Sequence, residues 1–216
     1  HCSTHFNKRD LQFAETLKLE NGNKLPLECY VSIRSPYSYL GLVQAHKLAQ
    51  HYGVPLEIKP VLPMKMRGLP VPKNKMIYLF LDTLRESKKL GIPYGKISDP
   101  LGQGVIHCYQ LFGYAKEQGK DVDFLLTAFN AVNAKGDNIA AESVARHLCA
   151  QLDIDYATAI EYNAVNDWNI WADANLQELE ELGYWGVPCF KYGDLSIWGQ
   201  DRLWSIEQAI LQSPKA

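Results

Sequence analysis

The feature that most constrains this chain is an apolar, β-rich run that passes directly into a helix start. Leu27 to Ile33 carries Tyr, Val and Ile between Pro26 and the Ser35-Pro36 step, the pattern of a short buried strand. Ser35 suits a helix N-cap. Pro36 suits the first helical position, where its fixed φ fits and its missing N–H is not needed. Tyr39, Leu42, Val43, His46 and Ala49 then share one helical face, and Gly53 ends the element. Leu56 to Val61 reads as a second strand. Strand, helix and strand in that order make a parallel pair joined by a right-handed crossover, the opening of an α/β domain.

Residues 63–73, rich in Pro, Gly, Lys and Met, read as a long loop. Helical spacing resumes with Met76, Leu79, Phe80, Thr83 and Leu84 and stops at Gly91-Ile92-Pro93. Further helices are predicted over 101–118, 121–133, 140–152, 155–166 and 167–182. Strand character returns at Cys189-Phe190-Lys191-Tyr192 and Leu195-Ser196-Ile197-Trp198, which flank Gly193-Asp194 as a two-residue hairpin. A helix from Asp201 to Leu211 closes the chain. A strand-helix-strand unit, an x-P-x-x segment at the first helix start, a Val-Pro step and then hairpin and helix together describe a thioredoxin fold. The expected fold class is therefore α/β, a thioredoxin fold with a large all-α insertion. The expected divisions are an N-terminal arm or linker over 1–25, ending in the Asn21-Gly22-Asn23 turn signal, a thioredoxin-like domain over 26–65 and 184–216, and an inserted helical domain over 66–183.

With 47% hydrophobic and 21% charged residues, 216 residues suffice for a substantial core. A formal net charge of -2, with Lys and Arg scattered among Asp and Glu, argues against a nucleic-acid partner. No apolar run approaches the roughly 20 residues of a membrane helix, and the N-terminus lacks a basic-then-apolar pattern, so no membrane partner and a cytoplasmic location are expected. Cysteines 2, 29, 108, 149 and 189 contain no C-x-x-C pair and read mostly as buried thiols. The histidines show no H-E-x-x-H pattern, His46 reads as a packed side chain, and no metal is expected.

The segment Ser35-Pro36-Tyr37-Ser38 places two serines at the C-x-x-C spacing. A hydroxyl cannot form a disulfide, and its proton is held too tightly to leave near neutral pH without a dedicated base. Disulfide exchange through this motif is excluded. What survives is a helix N-terminus with unsatisfied N–H groups and a positive dipole end, suited to an anion such as a thiolate supplied by another molecule. Taken alone, Ser35 reads first as an ordinary helix cap, worth about 1 kcal/mol.

The stretch Ser32-Ile33-Arg34-Ser35-Pro36-Tyr37-Ser38-Tyr39-Leu40 resembles the 2-hydroxychromene-2-carboxylate isomerase family and its kappa-class glutathione transferase relatives. Gly186-Val187-Pro188, Trp198-Gly199-Gln200-Asp201-Arg202-Leu203 and Lys75-x-x-Tyr78-x-x-x-Asp82-x-x-Arg85 match that family in order. The resemblance implies glutathione as cofactor, with Ser35 as the catalytic residue hydrogen-bonding its sulfur. It implies a cis Val187–Pro188 bond that lets the Val187 backbone pair with the tripeptide, Asp201 near the γ-glutamyl ammonium, Gln200 beside its carboxylate, and a contact from Lys75.

The implied activity is a glutathione-dependent isomerase of aromatic catabolism acting on a small conjugated electrophile. The thiolate adds to the substrate, rotation follows, and elimination restores free glutathione. The alternatives are a kappa-like glutathione transferase, a DsbA-family oxidoreductase using Cys189 beside Pro188, and a non-catalytic glutathione-binding module. Relatives often form homodimers. Tyr39, Met66, Tyr78 and Trp198 are candidates for the second-substrate wall, with core packing the favoured reading of each aromatic, and Arg34 or Arg67 are candidates for a substrate carboxylate. Two departures stand out: Met66 replaces an asparagine of the kappa class, and Asn133 a tryptophan of some isomerases.

Overall fold

The computed structural model describes residues 10–14 and 25–212; Cys2 and the Asn21-Gly22-Asn23 turn signal lie outside them. β1 (Leu27–Val31) pairs in parallel with β2 (Leu56–Pro60), Leu27 facing Leu56 and Val31 facing Pro60. Between them runs α1 (Pro36–Tyr52), closed by Gly53 in the left-handed conformation that glycine adopts without steric cost. β3 (Cys189–Tyr192) lies antiparallel to β1 and turns through Gly193-Asp194 into β4 (Leu195–Trp198), giving the strand order β2-β1-β3-β4.

Between β2 and β3 stand α2 (Lys73–Leu90), α3 (Gln103–Glu117), α4 (Asp121–Asn130), α5 (Glu142–Gln151), α6 (Tyr156–Val165) and α7 (Trp168–Glu181), and α8 (Leu203–Gln212) ends the described chain. α6 and α7 start on Asp155 and Asp167, whose carboxylates accept the exposed first-turn N–H groups of Thr158 and Asn169. No helix among the described residues is long and apolar enough to cross a membrane.

Alternation along β1 sends Leu27, Cys29 and Val31 into the main core, beneath α1 and α8, and Tyr30 to the opposite face with Val61, Leu179 and Cys189. Glu28 shares that second face. Lys191 and Lys59 approach it at 2.7 and 2.8 Å, and Lys59 also reaches Glu178 of α7 at 2.5 Å. Burial pushes the Glu28 carboxyl up, but the hydrogen bonds from Lys191 and Lys59 outweigh it and leave the group below its ordinary range. The network fastens α7 across the sheet. On the other side, the buried Tyr109 hydroxyl of α3 donates to the Val61 carbonyl at 2.7 Å and ties the helices to the end of β2.

The structure corrects four local expectations. The 63–73 segment contains a 3₁₀ turn, Met64–Arg67, and α2 already begins at Lys73. In α2 only Thr83 and Ser87 are buried and Met76 is 42% exposed, because the first half of this helix borders open space instead of core. α1 buries Leu40, Ala45 and Leu48 as well, while Val43 and His46 are only half-buried. The sheet, α4 and α8 cover it from several sides. Gln200–Arg202 forms its own 3₁₀ turn, so the last helix starts at Leu203.

Residues 10–14 are strapped onto this body by a carboxylate. Glu207 of α8 is fully buried and accepts the backbone N–H groups of Gln12 and Phe13, both at 2.7 Å, and the Tyr52 hydroxyl at 2.8 Å. Lys89 of α2 holds Asp10 at 2.8 Å, so the strap joins three helices. Hydrogen bonds to a buried charge are each worth about 1.5–3 kcal/mol, part of which solvation recovers when the strap is released. Glu207→Gln should lower the unfolding free energy in urea by about 1–3 kcal/mol and speed amide exchange at Gln12 and Phe13; undiminished protection there would contradict the strap.

Candidate functional site

The site begins where β1 hands the chain to α1. Ser35 donates its N–H to the Ser32 carbonyl at 2.8 Å, and Ser38 Oγ accepts the Ser32 N–H at 3.2 Å, closing the connection from both sides. Ser38 is fully buried, so the second serine of the motif is a structural pin. Ser35 Oγ accepts the Ser38 N–H at 3.2 Å as an N-cap. Because the oxygen is the acceptor, the hydroxyl proton is left to donate, and it has no acceptor among the described residues. The Tyr37 N–H likewise has no partner among them, and no acidic residue occupies the first turn to neutralise its positive end.

Close packing brings three other segments to this helix start. Gly41, one turn along α1, sits against the loop before β3: a Cβ there would lie 2.8 Å from Phe190, 3.2 Å from Gln200 and 3.3 Å from Pro188. The Val187–Pro188 peptide is cis. Neither the N–H nor the C=O of Val187 is taken by another group among the described residues. The Pro188 carbonyl accepts the Gly199 N–H at 2.9 Å, which places the Gln200–Arg202 turn beside it. Gln200 is buried and accepts from Gln44 at 3.3 Å, while Asp201 is exposed. Gly199 has φ +107 and a Cβ on it would stand 2.5 Å from Asp201 Oδ1, so glycine is required there.

Ser35, Lys75, Val187, Pro188, Gln200 and Asp201 all line one cavity of about 800 Å³. Tyr78, Asn133, Trp198, Arg34 and Arg67 belong to the same wall. Tyr39 and Met66 do not. Tyr39 is buried and stacks on Phe129, in keeping with its reading as a core aromatic, while Met66 packs into the core and is corrected from wall to packing residue. Arg34 is forked onto Asp99 at 2.7 and 2.8 Å, and that contact holds the Asp99 carboxyl below its usual range. Lys75 is exposed with its ammonium 5.5 Å from the centre of the Trp185 ring.

Several wall residues are given no role by the sequence, although Tyr37, Asp82 and Arg85 stand in its matched motifs. The Tyr37 hydroxyl donates to Asp82 at 2.5 Å, joining α1 to α2, and Arg85 holds the other oxygen of that carboxylate at 2.5 Å. Burial first, and then the Asp82 carboxylate, raise the Tyr37 phenol well above its ordinary value, so it stays protonated. Trp185 packs edge-on against Trp198 at 4.8 Å and forms the rim under Lys75.

No group of three His, Cys, Asp or Glu side chains among the described residues is arranged to hold a metal. Cys189 lies under the loop, 1% exposed, with its thiol 3.1 Å from the Gly186 carbonyl. Burial pushes that thiol up to about 12, where thiolate is scarce at neutral pH. What the arrangement offers is an open hydroxyl donor and N–H at a positive helix end, a free backbone pairing edge, and charged groups on both sides.

Residues 26–211 match the DSBA-like thioredoxin domain. The chain is 26% identical over 192 residues to a 2-hydroxychromene-2-carboxylate isomerase of Pseudomonas putida, an alignment covering 85% of this chain and 93% of that protein. A solved structure of a 2-hydroxychromene-2-carboxylate isomerase superimposes with a TM-score of 0.75 at 25% identity, covering 87% of this chain and 95% of that one. The cytosolic disulfide reductase DsbM of Pseudomonas aeruginosa shares the fold, with a TM-score of 0.66 at 16% identity over 88% of this chain and 98% of its own.

The buried Cys189 leads to a direct chemical expectation. In the folded protein it should resist iodoacetamide near neutral pH and react only once denaturant is added; rapid labelling of the native state would show an accessible, activated thiol instead.

Proposed function

Because this chain belongs to the DSBA-like thioredoxin domain family yet carries serines at both positions of the C-x-x-C spacing, we propose that it is a glutathione-dependent isomerase of the 2-hydroxychromene-2-carboxylate isomerase type. Relatives of that name, matched over most of both chains, support an isomerase. The observation that carries the glutathione reading is the Ser35 hydroxyl, bonded as an acceptor but unspent as a donor, on the wall of a cavity that also holds the unpaired Val187 backbone.

Three observations support the tripeptide as the ligand of this cavity. Its volume of about 800 Å³ leaves room for a small second substrate beside it. The Val187 N–H and C=O suit an extended peptide laid alongside as an added strand. Asp201 at one end complements an ammonium group. When bound, glutathione supplies a nucleophilic sulfur for reversible addition to a conjugated carbon.

The protein's part is electrostatic and positional. Ser35 donates its hydroxyl proton toward the sulfur, and the Tyr37 N–H and the α1 dipole favour negative charge at the same point. Ser35 neither gains nor loses a proton in this role. Tyr78, Asn133 and Trp198 line the space for the electrophile. The low exposure and raised pKa of Cys189 count against an oxidoreductase using that thiol.

A charge-assisted hydrogen bond of about 1.5–3 kcal/mol corresponds to about one to two units in the pKa of the bound thiol. Ser35→Ala should raise the pKa of bound glutathione by about that amount, read from ultraviolet thiolate absorbance, and lower turnover of conjugated electrophiles. An unchanged thiol pKa in the variant would remove Ser35 from the chemistry.

A further inference from the structure

We propose that Arg67 binds the glycyl carboxylate of glutathione, fixing the direction in which the tripeptide lies across Val187; this rests on the glutathione reading above and extends it to a residue which that reading leaves without a role.

The cavity has a polarity that runs along the loop. On the Pro188 side of Val187, the bond from Gly199 to the Pro188 carbonyl brings in the buried Gln200 and the carboxylate of Asp201. On the other side, Trp185 gathers two cations. Arg67 donates from Nη2 to its carbonyl at 2.6 Å, and the Lys75 ammonium stands over its ring. Glutathione is likewise asymmetric. Its γ-glutamyl end carries an ammonium together with a carboxylate, and its glycyl end carries a carboxylate alone. The end with Asp201, Gln200 and Arg202 offers both signs of charge to the first, and the end where Arg67 and Lys75 line the cavity suits the second.

Among the cavity's arginines, Arg67 is distinguished by being buried while incompletely paired, whereas Arg202, beside Asp201, is exposed to solvent. Arg34 is satisfied by both oxygens of Asp99, and Arg85 is mostly exposed and held by Asp82 and Glu86. The Arg67 side chain is only 10% exposed, yet its nearest carboxylate, Glu180, is 3.9 Å away and 61% exposed. Its Nε is buried with no hydrogen-bond partner among the described residues. Desolvation lowers the stability of its charged form more than Glu180 restores it. A guanidinium withdrawn from water and paired only with an exposed carboxylate at that distance is costly, and a carboxylate arriving in the cavity brings a nearer anion. A cation so placed beside the 185–187 segment meets the tripeptide itself, in place of the second-substrate carboxylate for which its residue type alone would suit it.

The test pairs a change in the ligand with a change in the protein. Calorimetry measures the affinity of glutathione and of its glycyl monoethyl ester for the wild type, Arg67→Gln and Arg67→Lys. The ester should bind the wild type about tenfold or more weaker than glutathione, since it has lost the charge that Arg67 meets. In Arg67→Gln that difference should shrink to under about threefold, with Arg67→Lys in between. A wild type indifferent to esterification, or an Arg67→Gln variant that keeps the full ester penalty, overturns the assignment. An Arg67→Gln variant that binds glutathione normally but needs more of a carboxylate-bearing electrophile also overturns it. If Arg67→Gln does not fold, the ester penalties of the wild type and Arg67→Lys decide by the same criterion. A wild type that binds neither glutathione nor its ester is a different result, and defeats the glutathione reading on which the assignment rests.

Discussion

The molecule depends on the close approach of α1 to the loop that precedes β3. At Gly41 the side chains of Phe190, Gln200 and Pro188 press so near the helix that a single added carbon would meet all three within 3.3 Å. That contact sets the start of α1 against Val187 and, through the Gly199 to Pro188 bond, against Asp201. A larger side chain at residue 41 would push the helix end, the pairing edge and the acidic end apart together. Interiors are close-packed and relax poorly, so such a displacement would reach the whole cavity wall.

Within that frame, the exchange of sulfur for oxygen at residues 35 and 38 separates two tasks. Ser38 closes the β1–α1 connection from within the core, while Ser35 caps the helix and keeps its proton available. The helix end thus retains the electrostatics that stabilise a thiolate and has no thiol of its own. The described cysteines are all buried, and Cys189, the one next to the loop, is held protonated. Polar chemistry at this cavity therefore favours a sulfur brought from outside over one drawn from the chain.

Much of this was legible in the residue pattern, and the failures have a common physical origin. Ser35-Pro36, Gly53 and Gly193-Asp194 signal element ends through local chemistry, and the elements beside them fall where those signals put them. Lys75, Val187, Gln200 and Asp201, each from a matched motif, line one cavity. Tyr39 stands one turn after Ser35, yet the covered side of α1 draws its ring onto Phe129 and away from the cavity. The partners Asp82, Asp99, Glu180 and Trp185 sit far along the chain from the groups they hold. The Gln12 amide bonds a carboxylate 195 residues away. Such pairings leave no periodicity to read.

The central claim is that a capped helix end with an unspent hydroxyl proton receives the sulfur of glutathione. A crystal structure of the protein grown with excess glutathione tests it most directly. The account predicts the sulfur within about 3.5 Å of Ser35 Oγ, with the peptide backbone paired to Val187. Glutathione bound elsewhere on the molecule, or the Ser35 hydroxyl turned to water while the cavity stays empty of the tripeptide, would contradict it.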